Sequence, residues 1–238
     1  MKKIITAFLL LTGLNASQAQ NIGNIINQAT SILNGQGTSL SNGDVVQGLK
    51  EALTVGANNS TSKASAFNGF YQNPKIKIPF PKEAKMMEEV LLQAGMKKQV
   101  ENFTRTLNRA AEDAAKDAAP IFINAITSMN IQDGISLLKG GDNAATEFLK
   151  GKTRDELKAK FRPVIQSSLK KVNITKYWKP LMTKYNQIPM VQKMNPNLED
   201  YVTDRALEGL FKLLADEEYK IRKDPAARIS DLLKKVFG

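Results

Sequence analysis

Apolar side chains recur every three or four residues along most of this chain, a period that predicts helices nearly throughout. Val45, Leu49 and Leu53 step by four behind Ser41 and Asp44, a capping-box pair, and predict a helix over about 42–64. A second helix is expected from about Lys82 to Gln93, ending at Gly95, and a third from Lys97 to about Ala119. The third carries Val100, Phe103, Leu107, Ala110, Ala111 and Ala114 on one face. Its alanine-rich end admits a close neighbour, and Pro120 kinks or ends it. Ile121, Phe122, Ala125, Ile126 and Met129 extend the buried pattern by a turn or two.

Short helices are expected over Gln132–Lys139 and Asn143–Lys150, separated by Gly140-Gly141. Thr153 and Glu156 form a capping box for another helix through Lys171, disturbed at Pro163. Leu198 to Lys223 reads as the longest, with Tyr201, Val202, Leu207, Leu210, Phe211 and Leu214 on a wide apolar face. Asp224 as cap and Pro225 at the first helical position open a last helix, with Ile229, Leu232, Leu233, Val236 and Phe237 spaced for burial.

One stretch breaks the period. In FNGFYQNPKIKIPFPKEAK three residues precede prolines and are pushed out of the helical region, while Lys75-Ile76-Lys77-Ile78 alternates. A short strand or an extended arm across the bundle is expected, pinned by Phe67, Phe70 and Phe80. The fold class is all-α: an irregular multi-helix bundle of about eight to ten helices, with one short extended arm near residues 74–81. No repeat of fixed period supports a solenoid.

The first nineteen residues have Lys2 and Lys3, an apolar run from Ile4 to Leu14, and small Ser17 and Ala19 before Gln20, the pattern of a cleaved signal peptide. That run is far short of the roughly 20 residues of a membrane span. The expected division is a signal peptide over 1–19, a flexible polar segment over 20–39 and a single helical domain over 40–238, in a protein exported to the periplasm or beyond. The chain has no cysteine, so neither disulfides nor a lipidated cysteine hold it, and an apolar core must.

The chain also has no histidine. Serine triads, cysteine–histidine dyads, histidine bases and most zinc sites all need that residue. Carboxylate chemistry, a serine–lysine pair or oxygen-bound cations remain. No cofactor or metal is predicted. Asp216-Glu217-Glu218 is the densest carboxylate cluster and reads as a solvated face, since neighbours on a helix point apart. Ser62-Lys63 and Ser167-Ser168 near Lys170 are weak nucleophile pairs, and Gly134, Gly140 and Gly141 match no phosphate loop.

The net charge is +11, and nearly all of it lies between Lys150 and Lys193, which hold twelve basic and two acidic side chains. Within this block Lys176, Tyr177, Trp178, Lys179, Lys184 and Tyr185 form an aromatic-basic edge, the candidate binding residues for an acidic protein or anionic lipid surface. Export disfavours nucleic acid. The plainer alternative points the rings inward beneath lysine stems, since Tyr177, Leu181 and Tyr185 share a face. Separately, Glu101, Arg105, Arg109 and Asp113 step by four, with Glu112 beside them; they form exposed ion pairs on one face or, if Arg109 is buried, a polar network of Arg105, Arg109 and Glu112.

Gly48 to Leu53, Ile78-Pro79-Phe80-Pro81, Asn108 to Glu112, Ala144-Ala145-Thr146 with Lys152-Thr153, Tyr201-Val202-Thr203, Gly209-Leu210-Phe211 and Asp224 to Arg228 together resemble the bacterial family filed as domain of unknown function 4197. The resemblance covers about residues 40–238. It implies a helical, exported protein and carries no catalytic residues; Arg109, Glu112, Lys152, Thr153 and Arg228 fit its pattern, while Glu208 and Asn143 stand where aspartates are expected.

Three functional readings follow. The leading one is a non-enzymatic exported binding or scaffold protein presenting the 150–193 face to an acidic or anionic partner. The second is a carrier of lipid or another apolar ligand, in a cavity lined by Phe103, Leu107, Phe122, Leu210 and Phe211; the third, a carboxylate hydrolase, needs two or more of Arg105, Arg109, Glu112, Asp133, Glu208 and Glu217 to converge in a cleft from different helices.

Overall fold

The longest apolar stripes decide the architecture. In a computed structural model, which describes residues 41–171 and 197–224 together with Trp178, Lys179, Thr183, Asn186, Gln187, Pro189, Met190, Lys193 and Ala226, the described residues hold seven α-helices and no strand. They are α1 (Asn42–Ser65), α2 (Lys85–Gln93) behind a 3-10 turn at Lys82–Ala84, α3 (Lys97–Ala115), α4 (Ala118–Thr127), α5 (Ile131–Lys139), α6 (Ala144–Lys171) and α7 (Leu198–Lys223). The fold is the all-α bundle expected, with seven helices among the described residues against eight to ten expected along the whole chain. The leader, the 20–39 segment and the helix expected after Asp224 lie outside the described residues.

Helix α7 is central because it is apolar over more than one face. It buries Val202, Leu207, Leu210, Phe211 and Leu214 and packs against α6, α1 and α3. Helix α6 buries Leu149, Leu157, Phe161, Ile165 and Leu169 against α3 and α7. On α3 the alanines at 110, 111, 114 and 115 are all buried, and their short side chains bring its backbone close to its neighbours, as expected.

Two boundaries differ from expectation. The third helix ends at Ala115, and α4 begins at Ala118 with Pro120 in its first turn. A proline there needs no N–H partner, but its ring would clash with the carbonyl four residues back, so the break falls at Lys116 and Asp117. Residues 144–171 form one helix rather than two, running through Gly151 and Pro163. Thr153 is no cap: its buried hydroxyl donates to the Leu149 carbonyl one turn back (2.7 Å).

The arm takes its shape from side chains rather than a sheet. Lys77 N–H closes a turn onto the Asn73 carbonyl (2.8 Å), and buried Asn108 then brackets Ile78. Asn108 Oδ1 accepts from Ile78 N–H and its Nδ2 donates to the Ile78 carbonyl, both at 2.8 Å, so one amide side chain supplies what a neighbouring strand would. Phe70, Ile76, Ile78 and Phe80 are buried beneath. Gly209 of α7 permits this seating, since a Cβ there would meet Phe70 Cε1 at 2.7 Å and Ile76 Cβ at 3.1 Å. Phe67, expected to pin the arm, is instead 81% exposed.

Candidate functional site

The basic block divides once folded. On α6, Arg154 and Lys158 reach Asp204 of α7 (3.6 and 2.9 Å), Arg162 reaches Asp200 (3.1 Å), and Lys150 pairs with Glu147 (3.5 Å). Lys152, Lys160, Lys170, Lys171 and Lys179 are exposed and have no carboxylate partner among the described residues. Trp178 is buried, its ring 5.6 Å from Phe103 and 6.1 Å from Phe80. Its indole N–H finds no acceptor among the described residues. Lys176, Tyr177, Lys184 and Tyr185 lie outside the described residues.

The four-step ladder expected on α3 does not form. Glu101 pairs with Lys97, Asp113 pairs with Lys116, and Arg109 turns to Glu112. Glu112 is buried, and its carboxylate accepts three backbone N–H groups from the turn after α1: Asn68 (3.3 Å), Phe70 (3.1 Å) and Tyr71 (3.1 Å). Arg109 pairs with Glu112, donates to Asn68 Oδ1 (2.7 Å) and lies flat under the exposed Phe67 ring, 3.6 Å from its centroid. Asn68 itself has φ +66°, a left-handed conformation that asparagine tolerates well. The turn is thereby fixed from three directions.

Arg105, one helical turn earlier, pairs with no carboxylate among the described residues; its guanidinium carbon stands 5.4 Å from the centroid of Tyr71. Lys77 from the arm approaches the same ring, Nζ to centroid 4.5 Å. Beside Tyr71 and Lys77 opens a groove of about 350 Å³, floored by Pro79, Phe80 and Val100 and edged by Leu92 of α2. No sequence signal joins Tyr71, Lys77 and Arg105, because the arm and α3 meet only after folding.

The acidic cluster on α7 is not a solvated face: Glu217 and Glu218 are both buried. Glu218 accepts from the Ala145 and Thr146 N–H groups (3.0 and 2.8 Å) and from the Thr146 hydroxyl (2.8 Å), capping the first turn of α6 with a negative charge where the helix dipole favours one. Arg222, paired with Glu218 at 2.8 Å, donates to the Leu137 carbonyl (2.9 Å) and so ties the end of α5 to the start of α6. Glu217 accepts from Asn59 (2.9 Å), Lys63 (2.5 Å) and Lys220 (2.9 Å). Burial opposes its charge, but these three donors outweigh burial and hold its carboxyl below the ordinary range.

The residues a carboxylate hydrolase would gather do not converge. Asp133 closes a capping box with Asn130, Glu208 pairs with Arg205, Glu217 joins α7 to α1, and Glu112 with Arg109 holds the 68–71 turn. No group of three or more histidine, cysteine, aspartate or glutamate side chains suited to a metal ion occurs among the described residues. The five residues expected to line an apolar cavity pack closely instead. Leu107, Phe122, Leu210 and Phe211 are buried, with the Phe122 and Phe211 rings 5.8 Å apart edge to face, and Phe103 stacks at 4.7 Å on Phe80.

A helical bundle packed around buried aromatic and aliphatic side chains and stapled by buried glutamate ion pairs defines the class: an all-α protein. The family described as "Protein of unknown function (DUF4197)" matches residues 39–238, and the chain belongs to that family. No curated protein and no solved structure matches it.

Proposed function

We propose that this is an exported, non-enzymatic binding protein whose basic face over residues 150–193 meets an acidic partner or an anionic surface. The leader-like first nineteen residues support export. The observation that carries the reading is the division of cations around α6. Asp200 and Asp204 pair with Arg154, Lys158 and Arg162 and offset two of their three charges, while Lys160, Lys170, Lys171 and Lys179 keep exposed charges without a carboxylate partner among the described residues. The buried glutamates are meanwhile bound to N–H groups and cations inside the bundle, so they do not offset that charge at the surface. In the described residues no helix is long and apolar enough to cross a membrane, so contact with lipid would be through the surface.

The test is sedimentation with phosphatidylglycerol vesicles, and capture on an immobilised acidic protein, at low and high salt. Binding is expected to fall steeply between about 50 and about 500 mM salt, as the Debye length shortens to a few ångströms. It is also expected to drop at least about tenfold in the Lys160→Glu, Lys170→Glu, Lys171→Glu variant. Absent binding, salt-insensitive binding, or binding unchanged in that variant refutes the proposal.

A further inference from the structure

The Tyr71 ring holds two cations that the fold has left uncompensated. Lys77 Nζ is 4.5 Å from its centroid and the Arg105 guanidinium carbon 5.4 Å, so the two charges lie no farther apart than those distances laid end to end. Neither has a carboxylate partner among the described residues. Their neighbours do: Lys75 pairs with Asp216 at 2.7 Å, Arg205 with Glu208 at 2.9 Å and Arg109 with Glu112. Two like charges held over one ring repel each other, and an anion bridging them would remove that repulsion.

The ring is also held in place. The Tyr71 N–H and the Phe70 N–H both bind the buried Glu112 carboxylate, and Ile78, next to Lys77, is clamped by Asn108. A site presented on so constrained a backbone loses little freedom when a ligand enters.

Tyr71 and Lys77 also form one end of the 350 Å³ groove, whose floor of Pro79, Phe80 and Val100 and edge at Leu92 are apolar. Leu92 is 43% exposed, a large aliphatic side chain at the rim. The remaining charged residues along the groove, Glu88, Glu101 and Lys97, add two carboxylates against one ammonium. A polyanion laid along the groove would meet those carboxylates. A ligand with one anionic end and one apolar tail would bring them no negative charge to repel.

We infer that the end of this groove at Tyr71 and Lys77, with Arg105 beside the same ring, binds a single-headed anionic amphiphile, its carboxylate or phosphate held by Lys77 and Arg105 and its tail lying over Phe80 and Val100 toward Leu92. This site is on the arm and α3, apart from the lysines of α6, so the two proposals fail independently. The same head chemistry is available from a free fatty acid or from a lipid in a bilayer.

Trp178, the chain's only tryptophan, is 6.1 Å from Phe80 in the groove floor and serves as the reporter. Titration with dodecanoate below its micellar concentration is expected to give a saturable change in its fluorescence. Lys77→Gln with Arg105→Gln is expected to weaken that response at least tenfold, Leu92→Glu to weaken it severalfold, and dodecyltrimethylammonium to give none. The three substituted side chains, Lys77, Arg105 and Leu92, are at the surface or groove rim, and far-UV circular dichroism checks that the variants remain folded. Binding of dodecanoate assigns a free amphiphile; binding of phosphatidylglycerol vesicles alone, with the same loss in the Lys77→Gln, Arg105→Gln variant, assigns a bilayer headgroup. Equal response to dodecanoate and dodecanol, or no effect of the double substitution with either probe, overturns the site.

Discussion

Removing the Glu112 carboxylate is the sharpest test of how the 68–71 turn is held. In Glu112→Ala, three backbone N–H groups and the Arg109 guanidinium lose their shared acceptor. The donors are not equally exposed. The Phe70 N–H is buried and would be left without a partner, at a cost of about 1–3 kcal/mol, while water can reach the Asn68 and Tyr71 groups. Arg109, whose side chain is 28% exposed, regains part of its hydration, which holds the total near the lower end of the range for breaking a buried pair, about 3 kcal/mol.

Glu112→Gln separates charge from hydrogen bonding. One carbonyl oxygen survives to take the place of Oε1, which serves both Phe70 and Tyr71, but an amide donor then faces Asn68 N–H and Arg109. The expected loss is about 1–2 kcal/mol. Urea unfolding at neutral pH reads both: with a slope of about 2 kcal/mol/M, the midpoint falls by about 1.5 M for alanine and about half that for glutamine. Both variants within about 0.5 kcal/mol of the parent, or glutamine as damaging as alanine, would refute the account of Glu112 as the acceptor that fixes the turn.

Two further predictions concern the interior. The Glu217 carboxyl is held below its ordinary value of 4.5 when folded, so its contribution is present above that value and lost as pH falls through the lower folded one. The urea midpoint of the parent should therefore drop more than that of Glu217→Gln between about pH 6 and about pH 3, and parallel profiles would count against the pairing with Lys63 and Lys220. Gly209→Ala drives a methyl against the Phe70 ring at 2.7 Å where neither side can retreat, and should cost about 1–3 kcal/mol in thermal or urea unfolding; a neutral or stabilised variant would show that the arm is not seated as described.

Helices with a sustained apolar pattern at the helical period were legible in the sequence. Helices α1 and α7 begin and end within a residue of their expected limits, since Leu49 and Leu53 or Val202, Leu210 and Leu214 repeat at the helical period, although the buried valine of α1 is Val46 rather than the expected Val45. Local signals misled where tertiary contacts outweighed them. Thr153 carries the sequence pattern of a cap, yet Leu149 and Leu157 on either side are fully buried, and packing that continuous stripe keeps the helix running through it. Phe67, expected with Phe70 and Phe80 to pin the arm, instead lies outside over Arg109, a cation that Glu112 has already fixed.

The candidate sites were less legible because charge is counted along the chain but balanced in space. Segment by segment, residues 20–149 hold twelve basic and twelve acidic side chains, while 150–193 hold nearly the entire excess. Folding redistributes this. Asp200 and Asp204, from outside the basic block, pair with three of its cations and offset two of those charges. Glu112, from the neutral segment, is drawn inside to bind backbone N–H groups as well as Arg109. A carboxylate used internally no longer screens the surface of its own segment, so Lys77 and Arg105 emerge there uncompensated although the segment's formal charge is zero. The burial of acidic groups, more than the abundance of lysine, thus determines where this protein's positive charge faces outward.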